Sequence, residues 1–233
     1  MKIPYAKPHE VFAVIPAWNE ASGVGDVVKA VRAHADGVLV VDDGSTDSTS
    51  EQARAAGAIV VRHRLNRGQG AALKTGTEAA IKLGADIIVH VDADGQHEPE
   101  MIDALVAPIR EGKADVVFGS RFLGIDPSGM PLIRRLYFPL ARLFNVYLLG
   151  VSKHVTDPQS GARAFSTRAA QQIVFHQDRA AHCSEILRSV TRSNLRWMEV
   201  PIHVRYTRET LKKGQKFSEA FRIMWQLLIH RLK

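Results

Sequence analysis

The chain has 233 residues, a formal charge of +7, 45% hydrophobic and 24% charged residues, and one cysteine, Cys183. That length allows one large α/β domain, the composition excludes a disordered or low-complexity chain, and the lone cysteine excludes an intrachain disulfide and fits a reducing compartment. Residues 1–10 lack the apolar run of a signal peptide, and the longest apolar stretch, 136–151, is broken by Arg142 and falls short of the roughly 20 apolar residues that cross a bilayer.

In chain order, residues 11–15 form a short apolar run ended by Pro16, the pattern of a buried strand, and the pattern recurs at 38–41, 58–61, 86–91 and 115–118. Helix-like segments lie between them at 22–34, 48–56, 70–83 and 98–110. Ser48, Thr49, Ser50 and Glu51 match a capping box for the second helix, and Pro99 suits the first turn of the fourth. Continuous β-branched runs alternating with helices predict a Rossmann-like, mostly parallel sheet flanked by helices. Beyond a Gly/Pro-rich stretch at 119–129, residues 131–150 read as an amphipathic helix, 164–165 and 199–206 as further strands, and the chain from Phe217 onward as a last amphipathic helix. No linker interrupts the chain, so one domain over 1–233 is expected.

In an open parallel sheet, ligands bind beyond the carboxyl ends of the strands, and the polar clusters of this sequence fall there. Pro16, Ala17, Trp18, Asn19 and Glu20 follow the first strand, and Asp42 to Asp47, including Asp43, Gly44 and Ser45, follow the second. Asn66, Arg67, Gly68, Gln69 and Gly70 follow the third, and Asp92, Ala93, Asp94, Gly95, Gln96 and His97 follow the fourth. Each cluster alone also reads as an ordinary turn; four at successive strand ends point to one site. Asp92 and Asp94, one residue apart, can converge on a hard cation, since Mg²⁺ takes one or two protein carboxylates and completes its shell with water and substrate phosphate. Gln96 can add a neutral oxygen. His90 is expected to be packed in the sheet, His97 to support the metal loop, and Cys183 to be a small core residue.

The ordered set of motifs resembles the inverting family 2 glycosyltransferases of GT-A fold, and among them the dolichol-phosphate and polyprenyl-phosphate sugar synthases. The matching stretches are 14–20, 40–47, 66–76, 92–99, Gly119 to Arg121, and Asp157 to Arg163. The resemblance implies that 1–120 is a nucleotide-sugar-binding half and 121–233 an acceptor half with amphipathic helices. It implies that Pro16, Ala17, Trp18, Asn19, Glu20, Asp43, Gly44, Ser45, Asn66, Gly68, Gly70, Lys74, Asp92 and Ala93 surround the nucleotide. By the same resemblance Asp92, Asp94 and Gln96 hold Mg²⁺ or Mn²⁺ at the diphosphate, and Asp94 and Arg121 serve the reaction. There are departures: Trp18 stands where Tyr is usual, and Gln69 where Lys is usual, with Arg67 and Lys74 as alternative sources of charge.

The implied reaction moves a sugar from a UDP- or GDP-linked donor to a polyprenyl or dolichyl phosphate. A phosphate monoester, largely anionic at pH 7, needs positive charge to position it rather than a general base. Arg121, Arg134, Arg135, Gln159, Ser160 and Arg205 are the expected acceptor-phosphate residues, with Lys213 and Gln215 further candidates. Lys212, Lys213, Lys216, Arg222 and Arg231 around the apolar face of the last helix suit a membrane interface, equally a helix packed on the domain or on an oligomer mate. The expected setting is therefore peripheral, on the cytoplasmic face of a membrane, with room for a small membrane-protein partner. The rivals are a family 2 transferase acting on a sugar hydroxyl, and a non-catalytic basic scaffold or nucleic-acid-binding protein. The acidic strand-end loops argue against nucleic acid.

Overall fold

The computed structural model describes residues 10–123, 146, 152–173, 177–178 and 182–204. The elements in order are β1 (Val11–Ala17), α1 (Val24–Val31), β2 (Gly37–Asp42), α2 (Thr49–Ala55), β3 (Ile59–Arg62), α3 (Gln69–Lys82), β4 (Ile87–His90), α4 (Met101–Arg110), β5 (Val116–Ser120), β6 (Arg163–Ser166), α5 (Thr167–Gln172), α6 (His182–Arg192) and β7 (Trp197–Pro201). Among the described residues they make a seven-stranded sheet in the order β3-β2-β1-β4-β6-β5-β7.

The apolar runs decide which strands are central. Every residue of β1 and β4 is buried, as a strand covered on both faces requires. β3, at the edge, is half-exposed, and its Ile59 is 46% exposed. β1, β2, β3 and β4 pair in parallel, the sense expected from helical crossovers. β6 is the exception: it runs antiparallel between β4 and β5, whereas β7 runs parallel to β5.

Two local features show how the sequence tolerates this. Pro16 lies inside central β1, where a missing N–H would normally break a ladder. Backbone groups of alternate residues face alternate neighbours. The Val14 carbonyl accepts from Val91 on the β4 side, so Pro16 also faces β4, whose pairing has already ended at Val14. No ladder donor is lost. Gly76 of α3 lies so close to the sheet that a Cβ there would stand 2.3 Å from Val14 Cγ1 and 3.0 Å from Val41 Cγ2.

The capping box at Ser48 does not form. Ser48 precedes α2, but its side chain makes no capping bond. Asp47 takes the role, accepting from the Thr49 N–H at 3.0 Å while its other oxygen accepts from the Ala21 N–H at 3.2 Å; a carboxylate reaches both loops where a hydroxyl cannot. Pro99 stands in the turn before α4, its carbonyl accepting from the Ile102 N–H at 3.0 Å.

At the far end of β5, Asp115 joins three elements. It accepts from Arg196 Nε and N–H, at 3.1 and 2.9 Å, and from Arg168 Nη2 at 2.7 Å. The Arg196 bonds, against the opposing effect of burial, and those of Arg168 hold its carboxyl well below the usual range.

Gly76→Ala should destabilise the protein by about 1–3 kcal/mol, because the clash with stiff Val14 outweighs the helix-propensity gain of about 1 kcal/mol; a urea denaturation midpoint reads it. Because the pKa of Asp115 is depressed on folding, its contribution is complete above the unfolded value near 4 and is lost as pH falls below it. Asp115→Asn should therefore lower stability at pH 7 and flatten the decline in stability between pH 4 and 2.

Candidate active site

The loops at the carboxyl ends of β1 to β4 are fastened to one another by side chains placed for that purpose. Asn19, in the left-handed region at φ 55°, receives the Thr46 N–H on its side-chain oxygen at 2.9 Å and gives its own N–H to Ser45 Oγ at 2.9 Å. Asparagine tolerates that backbone better than other non-glycine residues. The Glu20 N–H reaches Thr49 Oγ1 at 2.9 Å. Pro16 and Ala17 are buried in β1, and Trp18 is 55% exposed beyond them.

Asp43 is enclosed rather than open. It accepts from His63 Nδ1 at 2.7 Å, the Gly68 N–H at 2.6 Å and the Arg67 N–H at 3.0 and 3.1 Å. Those donors occupy most of what a carboxylate can accept, so Asp43 shapes the loop bearing exposed Asn66. Gly44, at φ 74°, makes this possible, since a Cβ there would lie 2.8 Å from the Asn66 nitrogen. Gly70 is likewise packed. Its N–H and that of Ala71 donate to the Asp178 carbonyl at 2.8 and 3.3 Å, and a Cβ would sit 2.1 Å from the Gln177 carbonyl oxygen. Lys74 is exposed on α3, and Arg67 stands 3.9 Å from the Asp178 carboxylate.

After β4, Asp92 and Asp94 flank buried Ala93. Burial and the neighbouring charge of Asp92 push the Asp94 carboxyl up, with Glu20 adding to the repulsion. Burial also pushes Asp92 up, but the bond and charge of His97, followed by the charges of Arg163 and His182, hold it below its ordinary value. Gln96 meets Asp94 through its backbone N–H at 3.0 Å. A divalent cation fits this donor set: the two carboxylates repel each other, and a cation held by both would relieve that repulsion. Among the described residues no third His, Cys, Asp or Glu completes a protein-only shell. The pair therefore suits an ion that keeps water and phosphate ligands.

β6 brings the acceptor-half motif to the same edge. His90 pairs with Arg163 across β4 and β6, so the turn before β6 faces the loop after β4. A Cβ on Gly161 would lie 2.5 Å from Asp92 Oδ2. Arg163, 1% exposed, donates to the Gly161 carbonyl at 3.2 Å and lies 3.3 Å from His182 Nε2 and 3.4 Å from Cys183 Sγ. Cys183 is half-buried rather than a core residue; burial raises its thiol, but His182 and Arg163 bring it down to about 6. His90 is packed in the sheet as expected. Its Nε2 meets Thr77 Oγ1 at 2.9 Å, and burial, then Arg163, holds it neutral.

Arg121 follows β5 and grips Asp157 side-on, Nε and Nη2 donating at 2.6 and 2.7 Å. Asp157 is fully buried, and the N–H groups of Thr156 and Asp157 donate to Glu199 of β7 at 2.9–3.2 Å. Gln159 donates its N–H to Asp157 Oδ1 at 3.4 Å, and Ser160 is buried with its hydroxyl unpartnered among the described residues. Arg134, Arg135, Arg205, Lys213 and Gln215, with both amphipathic segments apart from residue 146, lie outside the described residues. Sequence reasoning did not foresee the buried Arg163 cluster, the contact of Gln69 with Asp92, or the close packing of Gly161; the glycine inside the 157–163 motif was the only signal.

The profile of the glycosyl transferase family 2 matches residues 12–173. The chain is similar to the UDP-N-acetylglucosamine–dolichyl-phosphate N-acetylglucosaminyltransferase of Methanococcus voltae, at 34% identity over 95% of this chain and 96% of that protein. It is also similar to the polyprenol monophosphomannose synthase of Mycolicibacterium smegmatis, at 31% identity over 74% of this chain and 68% of that one. In fold it is similar to the glucosyl-3-phosphoglycerate synthase of Mycobacterium tuberculosis, crystallised with Mn²⁺, UDP and phosphoglyceric acid. That likeness has a TM-score of 0.74 at 24% identity and covers 94% of this chain and 76% of that one.

Removing Arg121 would leave buried Asp157 without its cation, a change that typically costs about 3–5 kcal/mol. Arg121→Ala should show a loss of that order in urea denaturation, and Arg121→Ala with Asp157→Ala should recover part of it.

Proposed function

The chain belongs to glycosyl transferase family 2, and we propose that it moves one sugar from a nucleotide-sugar donor to a polyprenyl or dolichyl phosphate at a membrane surface. Its family membership makes it a glycosyltransferase; donor, acceptor, cation and setting are the proposal. The carrying observation is that two described carboxylates beside the 156–160 segment, Asp157 and Glu199, are committed elsewhere. Asp157 is held by Arg121, and Glu199 by two backbone N–H groups. A hydroxyl acceptor needs a general base, and neither carboxylate is offered as one. A phosphate acceptor, already anionic, needs none. The two relatives named for dolichyl-phosphate and polyprenol-linked transfer support the same acceptor class.

In this reading Pro16, Ala17, Trp18, Asn19, Glu20, Asp43, Gly44 and Ser45 receive the base and ribose, with Asn66, Gly68, Gly70 and Lys74 bordering the phosphates. Asp92 and Asp94, with Gln96, would hold Mg²⁺ or Mn²⁺. When bound, the cation would neutralise charge on the departing nucleoside diphosphate. The acceptor phosphate oxygen attacks the anomeric carbon from the face opposite the donor diphosphate; one C–O bond forms as the other breaks, configuration inverts, and no proton is removed. Arg121, Gln159 and Ser160, and by sequence Arg134, Arg135 and Arg205, would hold the acceptor phosphate. A peripheral position on the cytoplasmic face would bring the site to its lipid; no described helix is long and apolar enough to cross a membrane.

Purified protein incubated with UDP- and GDP-sugars, Mg²⁺ or Mn²⁺ and a short polyprenyl phosphate should form a sugar-phospholipid detectable by mass spectrometry. EDTA should abolish it, and Asp94→Ala should slow it by at least about a hundredfold. Nucleotide binding without any lipid product, together with transfer to a sugar hydroxyl, would overturn the acceptor assignment.

A further inference from the structure

Of the two strand-end carboxylates, Asp92 is held on three sides. Its Oδ1 accepts the side-chain amide of Gln69 at 2.7 Å. Its Oδ2 stands 3.5 Å from His97 Nε2, and Gly161 lies close behind it. Gln69 is the first residue of α3, directly after Gly68, whose N–H is fixed on Asp43 at 2.6 Å. The amide is therefore delivered from a pinned backbone, although Gln69 itself is exposed.

We propose that Gln69 is a positioning residue for the divalent cation: its amide fixes the orientation of the Asp92 carboxylate while leaving the negative charge intact. This rests on the reading of Asp92 as a cation ligand. An amide here orients the carboxylate by a hydrogen bond without adding a formal charge beside it. Groups that hold a ligating side chain from outside typically change metal affinity 10- to 100-fold when removed. The same contact joins the loop after β3, which borders the nucleotide in the proposed reaction, to the loop after β4, so the cation site and the nucleotide loop share one rigid connection.

The test is Mn²⁺ titration of the full chain followed by electron paramagnetic resonance, without nucleotide, for the parent protein, Gln69→Met, Gln69→Ala and Asp92→Asn. Both Gln69 variants should bind Mn²⁺ about tenfold more weakly with an unchanged thermal midpoint. Raising Mn²⁺ should restore transfer by Gln69→Met to the parent kcat. If both bind Mn²⁺ as the parent does while Asp92→Asn does not bind it, the role of Gln69 is overturned and the cation site stands. If Asp92→Asn also binds as the parent does, the cation site itself fails and the proposal with it. Weaker binding with a midpoint lowered by more than about 5 °C, a drop of the order of 1 kcal/mol or more, would assign Gln69 to the fold instead.

Discussion

The antiparallel pairing of β6 with β4 is the constraint on which the site depends. His90 lies opposite Arg163, and because β6 runs against its neighbour, its amino end meets the carboxyl end of β4. The turn preceding β6 is thereby carried to the ligand-binding edge of an otherwise parallel sheet. Asp92 and Gly161 come within contact range for this reason alone. The loops after β5 and β7 arrive at the same edge, since both strands run with β4, and Arg121 can then reach Asp157 as Glu199 reaches the N–H groups of the 156–157 segment. A parallel β6 would have put this motif at the opposite edge.

Charge is distributed along that edge with little symmetry. The loops after β1, β2 and β4 collect acidic groups: Glu20, Asp92 and Asp94, with Asp42 and Asp43 behind them satisfied by hydroxyls, backbone N–H groups and His63. Among the described residues, Asp157, Glu185 and Glu199 are instead met by arginine or backbone donors. Between the two lies Arg163, almost fully buried, with a carbonyl, His182 and Cys183 around its guanidinium. A buried cation is costly unless its donors are used and anions stand near; here the field of Asp92 supplies part of the compensation.

Glycines do in several places what no side chain could. Gly44 lets the second loop lie against the third, Gly70 lets the segment at 177–178 cover the start of α3, and Gly161 gives Asp92 its room. From sequence each reads as a permissive loop residue, because the steric demand belongs to a partner remote in the chain. Asp43 is a similar case. Its place in a strand-end motif was legible, but its enclosure by His63, Arg67 and Gly68 depends on the path of a loop some twenty residues later.

The amino-acid sequence by itself determined the strands and helices of the first half, their largely parallel arrangement, and the gathering of polar loops at the carboxyl ends of β1 to β4. These rest on local hydrophobic period and on the short connections that periodicity implies. It also displayed Asp92 and Asp94 as a pair, since their spacing is local. Only the tertiary structure decided that β6 is inserted antiparallel, that Asp47 rather than Ser48 serves α2, that Arg121 is bound to Asp157, and that Gln69 touches Asp92. Those outcomes are set by pairings between residues tens of positions apart, whose geometry no local pattern encodes.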